Sequence, residues 1–281
     1  MSIPARPLAF VAKPRKSSSI LPINTPFSLS TLQRISSAII DHNAATGFDL
    51  AAFLTKNTSA VNAGSSSQSQ AAVLLPLANI DDKPSILFQV RANLRTHSGE
   101  VSFPGGKKDD DDIDLEHTAK RETHEEIGTT SSRIQILSPF GPVEKSLGGS
   151  TVYPYVGFIS GTDVGPLDVQ RNLTSFNDTI PLPNLDLSQL SINKAEVAML
   201  FHLSIAELLD EGRLNAQQFR GHPPYWCVNV SDKVPEEYWT TPQELVSQTH
   251  SEDSAAGHRK TLQIWGLTAC SVLLNFHALG T

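Results

Sequence analysis

Residues 103–128 read FPGGKKDDDDIDLEHTAKRETHEEIG: a glycine turn, an acidic loop, and a helix-forming run that ends on Arg121, Glu122, Glu125 and Glu126. On an ideal helix, spacings of three and four place Glu122, Glu125 and Glu126 on one face. Three carboxylates held that close repel one another unless a positive charge sits among them. Hard divalent cations such as magnesium take oxygen ligands and often keep water, so the cluster suits them. A solvated acidic helix end has the same spacing. Against it, acidic side chains at a helix C-terminus oppose the macrodipole. Spacing alone leaves both readings open.

Working outward, the 281 residues are enough for one large domain or two small ones, with an ordinary composition and a real core. The net charge of −7 argues against nonspecific nucleic-acid binding. It also means that a polyphosphate substrate needs metal ions and local basic residues to approach. The two cysteines, Cys227 and Cys270, sit in apolar surroundings and give neither a disulfide framework nor a zinc spacing. A reducing compartment is the default for such a chain. No apolar run is long and uninterrupted enough to span a membrane. The nearest, residues 264–279, contains Gly266, Thr268, Asn275 and His277 and reads as a packed amphipathic helix.

Three segments follow from the punctuation. Residues 1–27 form a basic, Ser-rich leader or disordered tail. Arg6, Lys13, Arg15, Lys16 and Arg34 all precede the first acid, Asp41, as in an organelle transit segment. Pro4, Pro7 and Pro14 would interrupt a presequence helix, so both readings stand. The location expected is mitochondrial or cytosolic; the final residues do not form a Ser-Lys-Leu-type peroxisomal signal. Residues 28–69 carry N-terminal helices, capped by Ser30 with Leu32, Ile35, Ile39 and Ile40 as the apolar face, and then a polar linker.

Residues 70–279 are the main domain. The runs at 71–78 and 85–90 flank NIDDKP and read as a hairpin. Further strands are expected at 133–143, 152–159, 196–203 and 225–230, with a short helix at 204–211 and a final helix at about 260–279. Insertions are expected at 160–194 and 231–259. No internal repeat occurs. Strands with interspersed helices indicate an α+β or layered α/β/α domain.

The opening stretch resembles the Nudix box, G-x(5)-E-x(7)-R-E-U-x-E-E-x-G-U, where U is aliphatic. Gly106 fits the first glycine, Asp112 stands at the first acidic position, and Arg121, Glu122, Glu125, Glu126 and Gly128 supply the second half without a gap. The departures are Asp for Glu, one extra residue before Arg121, and Thr123 and Thr129 at aliphatic positions. Residues 87–107, LFQVRANLRTHSGEVSFPGGK, are similar to the signature that precedes the box in the coenzyme A diphosphatase subfamily, which commonly has the longer spacing. The gap between Arg91 and Arg95 is one residue shorter than usual there. Residues 153–159, 196–209 and 264–269 carry further echoes.

The resemblance implies a Nudix fold: an α/β/α sandwich around a mixed β-sheet, with a catalytic loop-helix-loop. It implies a Mg2+- or Mn2+-dependent hydrolase of a nucleoside diphosphate linked to another moiety. Here that substrate is coenzyme A or its thioesters, giving 3′,5′-ADP and (acyl-)4′-phosphopantetheine. Another diphosphate derivative (8-oxo-dGTP, NADH, a dinucleotide, capped RNA) would keep the same metal site and change the pocket. A non-catalytic binding module would typically lose box carboxylates, and this chain keeps all three.

Glu122 and Glu126 are the expected metal ligands, and Glu125 is the third ligand or the base that takes a proton from water. Arg121 orients a carboxylate, with an exposed ion pair as the bland alternative. Gly105 and Gly106 form a turn that lets backbone amides approach an anion. Arg91 and Arg95 suit phosphates or a plain surface role, and Glu100 could add a carboxylate near the metals. Asp112 fits a structural role behind the ligands. Glu196 is a distal acid or a solvated strand start. His97, His117 and His124 form no zinc spacing, and Tyr225 and Trp265 suit core or pocket wall.

Overall fold

The computed structural model describes residues 23–48, 69–92, 99–146, 148–165, 167, 176–217, 225–239 and 261–265. Helix α1 is Leu29–Ala45. Strands β1 (Gln70–Ile80), β2 (Lys83–Arg91), β3 (Val101–Ser102) and β4 (Gly105–Lys107) lead into helix α2, Leu115–Ile127. Strands β5 (Ile134–Pro139), β6 (Glu144–Lys145), β7 (Thr151–Ile159) and β8 (Val197–Ser204) follow, then the short α3 (Ile205–Leu208), β9 (Leu214–Gln217), β10 (Tyr225–Asn229) and β11 (Gln263–Ile264).

The expected hairpin forms from β1 and β2, paired from Leu77↔Ile86 to Ile80↔Lys83. Its two turn residues, Asp81 and Asp82, have φ of 51° and 56°. That is the left-handed pair a tight hairpin turn requires, and Asp tolerates it better than most side chains. The sheet runs β3-β2-β1-β7-β5, with β4 added to β1, β6 to β7 and β8 to β2. β1 and β7 are parallel, through pairs such as Leu75↔Val156, and the other pairs are antiparallel. The sheet is therefore mixed, as expected.

The two-residue strand period divides the core between two faces. Leu75, Leu77, Ile86, Phe88, Val90, Val156 and Phe158 pack with Phe27, Leu32, Ile35 and Ile39 on the α1 side. Leu74, Ala78, Ile80, Leu87, Tyr155 and Ile159 pack with Leu115, Ala119 and Ile127 of α2 on the other. The result is the α/β/α sandwich.

The cap of α1 is Ser28 rather than Ser30. Ser28 is extended and forms a reciprocal capping box with Thr31, whose hydroxyl accepts from the Ser28 amide at 2.6 Å. Ser30 is the second residue of the helix and so lies past the cap position, with its hydroxyl 3.0 Å from that of Ser28. α1 is then bonded to the sheet: Ser36 Oγ donates to the Leu137 carbonyl, and Asn43 Nδ2 to that of Pro139, both at 2.9 Å.

One further expectation meets a correction. Gln263–Ile264, assigned to the start of the final helix, is a strand that pairs with β10 through Val228↔Ile264. Ile264 is buried in the α1-side core by that pairing. A short apolar run has no period that separates strand from helix. The remainder of that helix lies outside the described residues. Within 160–194, residues 182 and 185 bond to the Phe27 and Asn79 carbonyls at 2.8 and 2.7 Å, and Leu185 is buried against α2's core. That part of the insertion is packed onto the domain. Among the described residues, no helix is long and apolar enough to cross a membrane.

Candidate active site

Helix α2 starts at Asp114, whose carboxylate accepts from the His117 amide at 2.7 Å, and stops at Gly128. Gly128 has φ of 75°, and a Cβ there would lie 2.5 Å from the Ser191 carbonyl oxygen. Both conformation and space require glycine. Leu115, Ala119, Thr123 and Ile127 form the buried stripe. Thr123 substitutes for an aliphatic residue because its hydroxyl donates back to the Ala119 carbonyl at 2.6 Å.

This orientation gives the three glutamates unequal surroundings. Glu126 is only 3% exposed. Its Oε2 accepts from the Gly105 amide and from Nε2 of Gln89, each at 2.9 Å. Burial pushes its pKa up to about 7; these two bonds and the charge of Arg91 oppose the rise, while Glu122 adds to it. Glu122 is half-buried. Its pKa is raised by burial, pulled back by Arg121, and raised further by Glu125 and Glu196. The side chain of Glu125 is 50% exposed and meets Arg121 Nη1 at 3.1 Å.

The glycine turn explains itself at this site. A Cβ on Gly105 would lie 2.3 Å from the Ala72 carbonyl oxygen, so only glycine lets β4 seat against β1 and aim its amide at Glu126. A Cβ on Gly106 would lie 2.4 Å from the carboxyl carbon of Glu122. The two glycines thus fit the backbone around two different carboxylates.

Asp112 organises the acidic loop. Its side chain is buried, and it accepts from Arg121 Nε and Nη2, Thr118 Oγ1 and the Asp109 amide at 2.9 Å, and from His117 Nδ1 at 2.8 Å. Burial alone would raise its pKa, but hydrogen bonds from Arg121, Asp109, Thr118 and His117 outweigh that and hold the carboxyl well below the usual range. Asp112 in turn is the main cause that raises the pKa of the Arg121 guanidinium. Arg121 also donates to the Lys107 carbonyl at 3.0 Å and meets Glu122 at 3.0 Å. With Asp109 at 3.7 Å as well, it is a hub of five residues' oxygens, not an exposed ion pair.

Of the remaining candidates, Arg91 lies on the same face of β2 as Gln89, near enough for its charge to act on Glu126. Its amide donates to the Glu100 carbonyl at 3.0 Å, and its Nε is buried without a partner. Arg95 and His97 lie outside the described residues. Glu196, at the entrance to β8, acts on Glu122 by charge and so belongs to the acid cluster's neighbourhood. His117 and His124 are tied to Asp112 and to the Thr129 carbonyl, each at 2.8 Å. Among the described residues, no three His, Cys, Asp or Glu side chains converge as ligands of one ion. Arg121 reaches between Glu122 and Glu125 instead.

Sequence reasoning missed Gln89. The available signal was a lone amide inside the apolar run SILFQV, two residues from Arg91 and from Leu87 and hence on the α2 face.

Residues 68–160 match the NUDIX domain model, so the chain carries a Nudix domain with the mixed sheet and loop-helix-loop described above. Among curated proteins, the chain is 38% identical over 144 residues to mitochondrial coenzyme A diphosphatase NUDT8 of Mus musculus, covering 50% of this chain and 56% of that protein. It is 33% identical over 155 residues to Nudix hydrolase 3 of Caenorhabditis elegans, covering 55% of each. The chain thus spans about half the length of the curated relatives it matches. Among solved structures, the NUDIX domain of Shewanella oneidensis NrtR complexed with ADP ribose is 18% identical, with a TM-score of 0.34 over 57% of this chain and 86% of that one.

Proposed function

We propose that this protein is a Mg2+- or Mn2+-dependent Nudix diphosphatase that hydrolyses coenzyme A or its thioesters to 3′,5′-ADP and (acyl-)4′-phosphopantetheine. The observation that carries the reading is Glu126: a buried carboxylate with its pKa raised to about 7, gripped by the amide of Gly105 from the signature turn. The substrate class is supported by the name of the mouse relative and by the segment at 87–107 that leads into that turn.

The donor set fits a hard divalent ion. Glu122 and Glu126 are carboxylates whose ionisation burial disfavours, and Glu125 and Glu196 add like charge to Glu122. Arg121 and Arg91 offset part of this charge, and the cluster's oxygen ligands suit Mg2+ or Mn2+. When bound, the ion supplies charge neutralisation to the diphosphate and acidity to a coordinated water. Glu122 and Glu126 would hold it, with Glu125 as third ligand.

In the reaction, water forms a new bond to one phosphorus, the P–O bond to the bridging oxygen breaks, and that oxygen leaves with the other phosphate. Glu125, the most exposed of the three glutamates, would serve as that third ligand or instead as the base that takes the water's proton and passes it to solvent. Arg121 keeps Glu122 and Glu125 apart and oriented. Arg91, Arg95, Glu100 and the turn at Gly105 and Gly106 would meet the substrate, the arginines at its phosphates. The location fitting this reading is the mitochondrion, with the cytosol second.

The test is a substrate panel of coenzyme A, NADH and 8-oxo-dGTP, each with and without Mg2+. Metal-dependent turnover of coenzyme A is expected. Turnover of NADH or 8-oxo-dGTP with coenzyme A left intact would replace the substrate while keeping the hydrolase. No turnover of any of them would speak for a binding module.

A further inference from the structure

We propose that Gln89 is a positioning residue for the Glu126 carboxylate, fixing which of its oxygens is presented to a divalent ion. Gln89 is fully buried in the middle of β2, and its Nε2 donates to Oε2 of Glu126 at 2.9 Å. The Gly105 amide donates to the same oxygen at 2.9 Å. Both donors thus fall on one oxygen, from two different strands. Among the described residues, Oε1 receives neither bond and is the oxygen left for a ligand.

A structural explanation for the amide is weak. Gln89 lies in a strand whose neighbours Phe88 and Val90 are core residues. Its own Oε1 is buried without a partner, as is Oγ of Ser102, the residue opposite it on β3. Burying an amide with one oxygen unpaired is unfavourable for the fold. Leucine or methionine would fill the same space without that penalty. What the amide adds is a directional donor to one carboxylate oxygen, and partners of that kind orient metal ligands.

The inference rests on the metal reading above, and its test separates the two. Mn2+ affinity is measured by electron paramagnetic resonance on the full-length metal-free protein, without substrate, for the parent, Gln89→Met, Gln89→Asn and Glu126→Gln. Thermal unfolding is followed in parallel. Gln89→Met keeps the volume and removes the donor; it is expected to weaken Mn2+ binding about tenfold or more. Its unfolding temperature without metal should not fall. Gln89→Asn, whose amide is one methylene too short, should also bind Mn2+ more weakly, and it serves if the methionine variant fails to fold. Parent-like Mn2+ affinity in a folded Gln89 variant, with Glu126→Gln impaired, would overturn the positioning role alone. A parent protein that binds no Mn2+ would remove the metal reading and this inference together.

Discussion

Arg121 grips Asp112 with two guanidinium nitrogens, Nε to Oδ1 and Nη2 to Oδ2, each at 2.9 Å, while Nη1 reaches Glu122 and Glu125 at 3.0 and 3.1 Å. The buried aspartate anchors the arginine, and the anchored arginine holds its free arm between two glutamates. The loop residue that stands where the box pattern has Glu therefore acts on the helix carboxylates at one remove. A planar fork suits this task because both of its bonds to Asp112 must form together.

Asp112→Asn keeps the shape of that anchor and removes its charge. It is expected to lose about 3 kcal/mol of unfolding free energy at neutral pH, as when one member of a buried pair is removed. The folded pKa of Asp112 is depressed, so its stabilisation is complete above the unfolded value of about 3.9 and is lost as pH falls through the folded value. Urea titrations should therefore show a constant gap between parent and variant down to about pH 5 and a shrinking gap below it. A gap unchanged at about pH 2.5 would contradict the assignment.

Glu126→Gln should abolish hydrolysis and leave the fold intact, since the glutamine's oxygen can still accept from Gly105 and Gln89. The sign of its stability effect follows from the raised pKa. Glu126 binds a proton more readily folded than unfolded, so the metal-free parent loses stability as pH rises from about 4.5 through about 7. The variant carries no such titration. Without divalent ions it should be the more stable protein at about pH 8 and no more stable at about pH 4. Calorimetric unfolding at the two values checks this, and unchanged turnover would remove Glu126 from the ligand set.

The paired glycines should separate fold from chemistry. At Gly105 an alanine meets backbone, the Ala72 carbonyl and the Val73 Cα at 2.3 and 2.6 Å, neither of which can move without shifting β1. Gly105→Ala is expected to cost 2 kcal/mol or more, on the order of an overpacked core site. At Gly106 the obstacle is the flexible end of Glu122. Gly106→Ala should change stability by less than about 1 kcal/mol while lowering kcat at least tenfold. Chemical unfolding and steady-state kinetics on both variants decide it; equal losses in both measurements would refute the division.

Where a sequence feature carried a period or an obligatory backbone angle, it was legible. The β1–β2 hairpin, β7, β8 and the helix bearing Glu122, Glu125 and Glu126 all fall near their expected places. Gln263–Ile264 was not legible as a strand, because a two-residue pairing leaves no period to read. The site divides in the same way. The i,i+4 contact of Arg121 with Glu125 could be read from the helix, but its fork onto Asp112 depends on how the loop folds back. Gln89 was hidden for a related reason: its partner lies 37 residues along the chain, on another element. The unequal burial of Glu125 and Glu126, adjacent in sequence, likewise comes from packing against the sheet.

Asn79 shows how the N-terminal helix is fastened to the sheet and gives a test remote from the acids. It is fully buried at the end of β1. Its Oδ1 accepts from the Phe27 amide at 2.6 Å, and its Nδ2 donates to the Phe27 and Leu182 carbonyls, both at 2.9 Å. One side chain thus ties the residue before the Ser28 cap and a segment of the 160–194 insertion to the same strand. Asn79→Ala would leave the Phe27 amide and two carbonyls without these bonds, and should cost about 2–4 kcal/mol. Asn79→Asp should be at least as damaging, because a carboxylate would face two carbonyl oxygens. Both variants, once folded, should keep the parent KM, since nothing in the acid cluster touches Asn79. Limited proteolysis should cut them faster within α1 than within α2, and parent-like resistance of α1 would show that its docking rests on the Phe27, Leu32, Ile35 and Ile39 packing and the Ser36 and Asn43 bonds without help from Asn79.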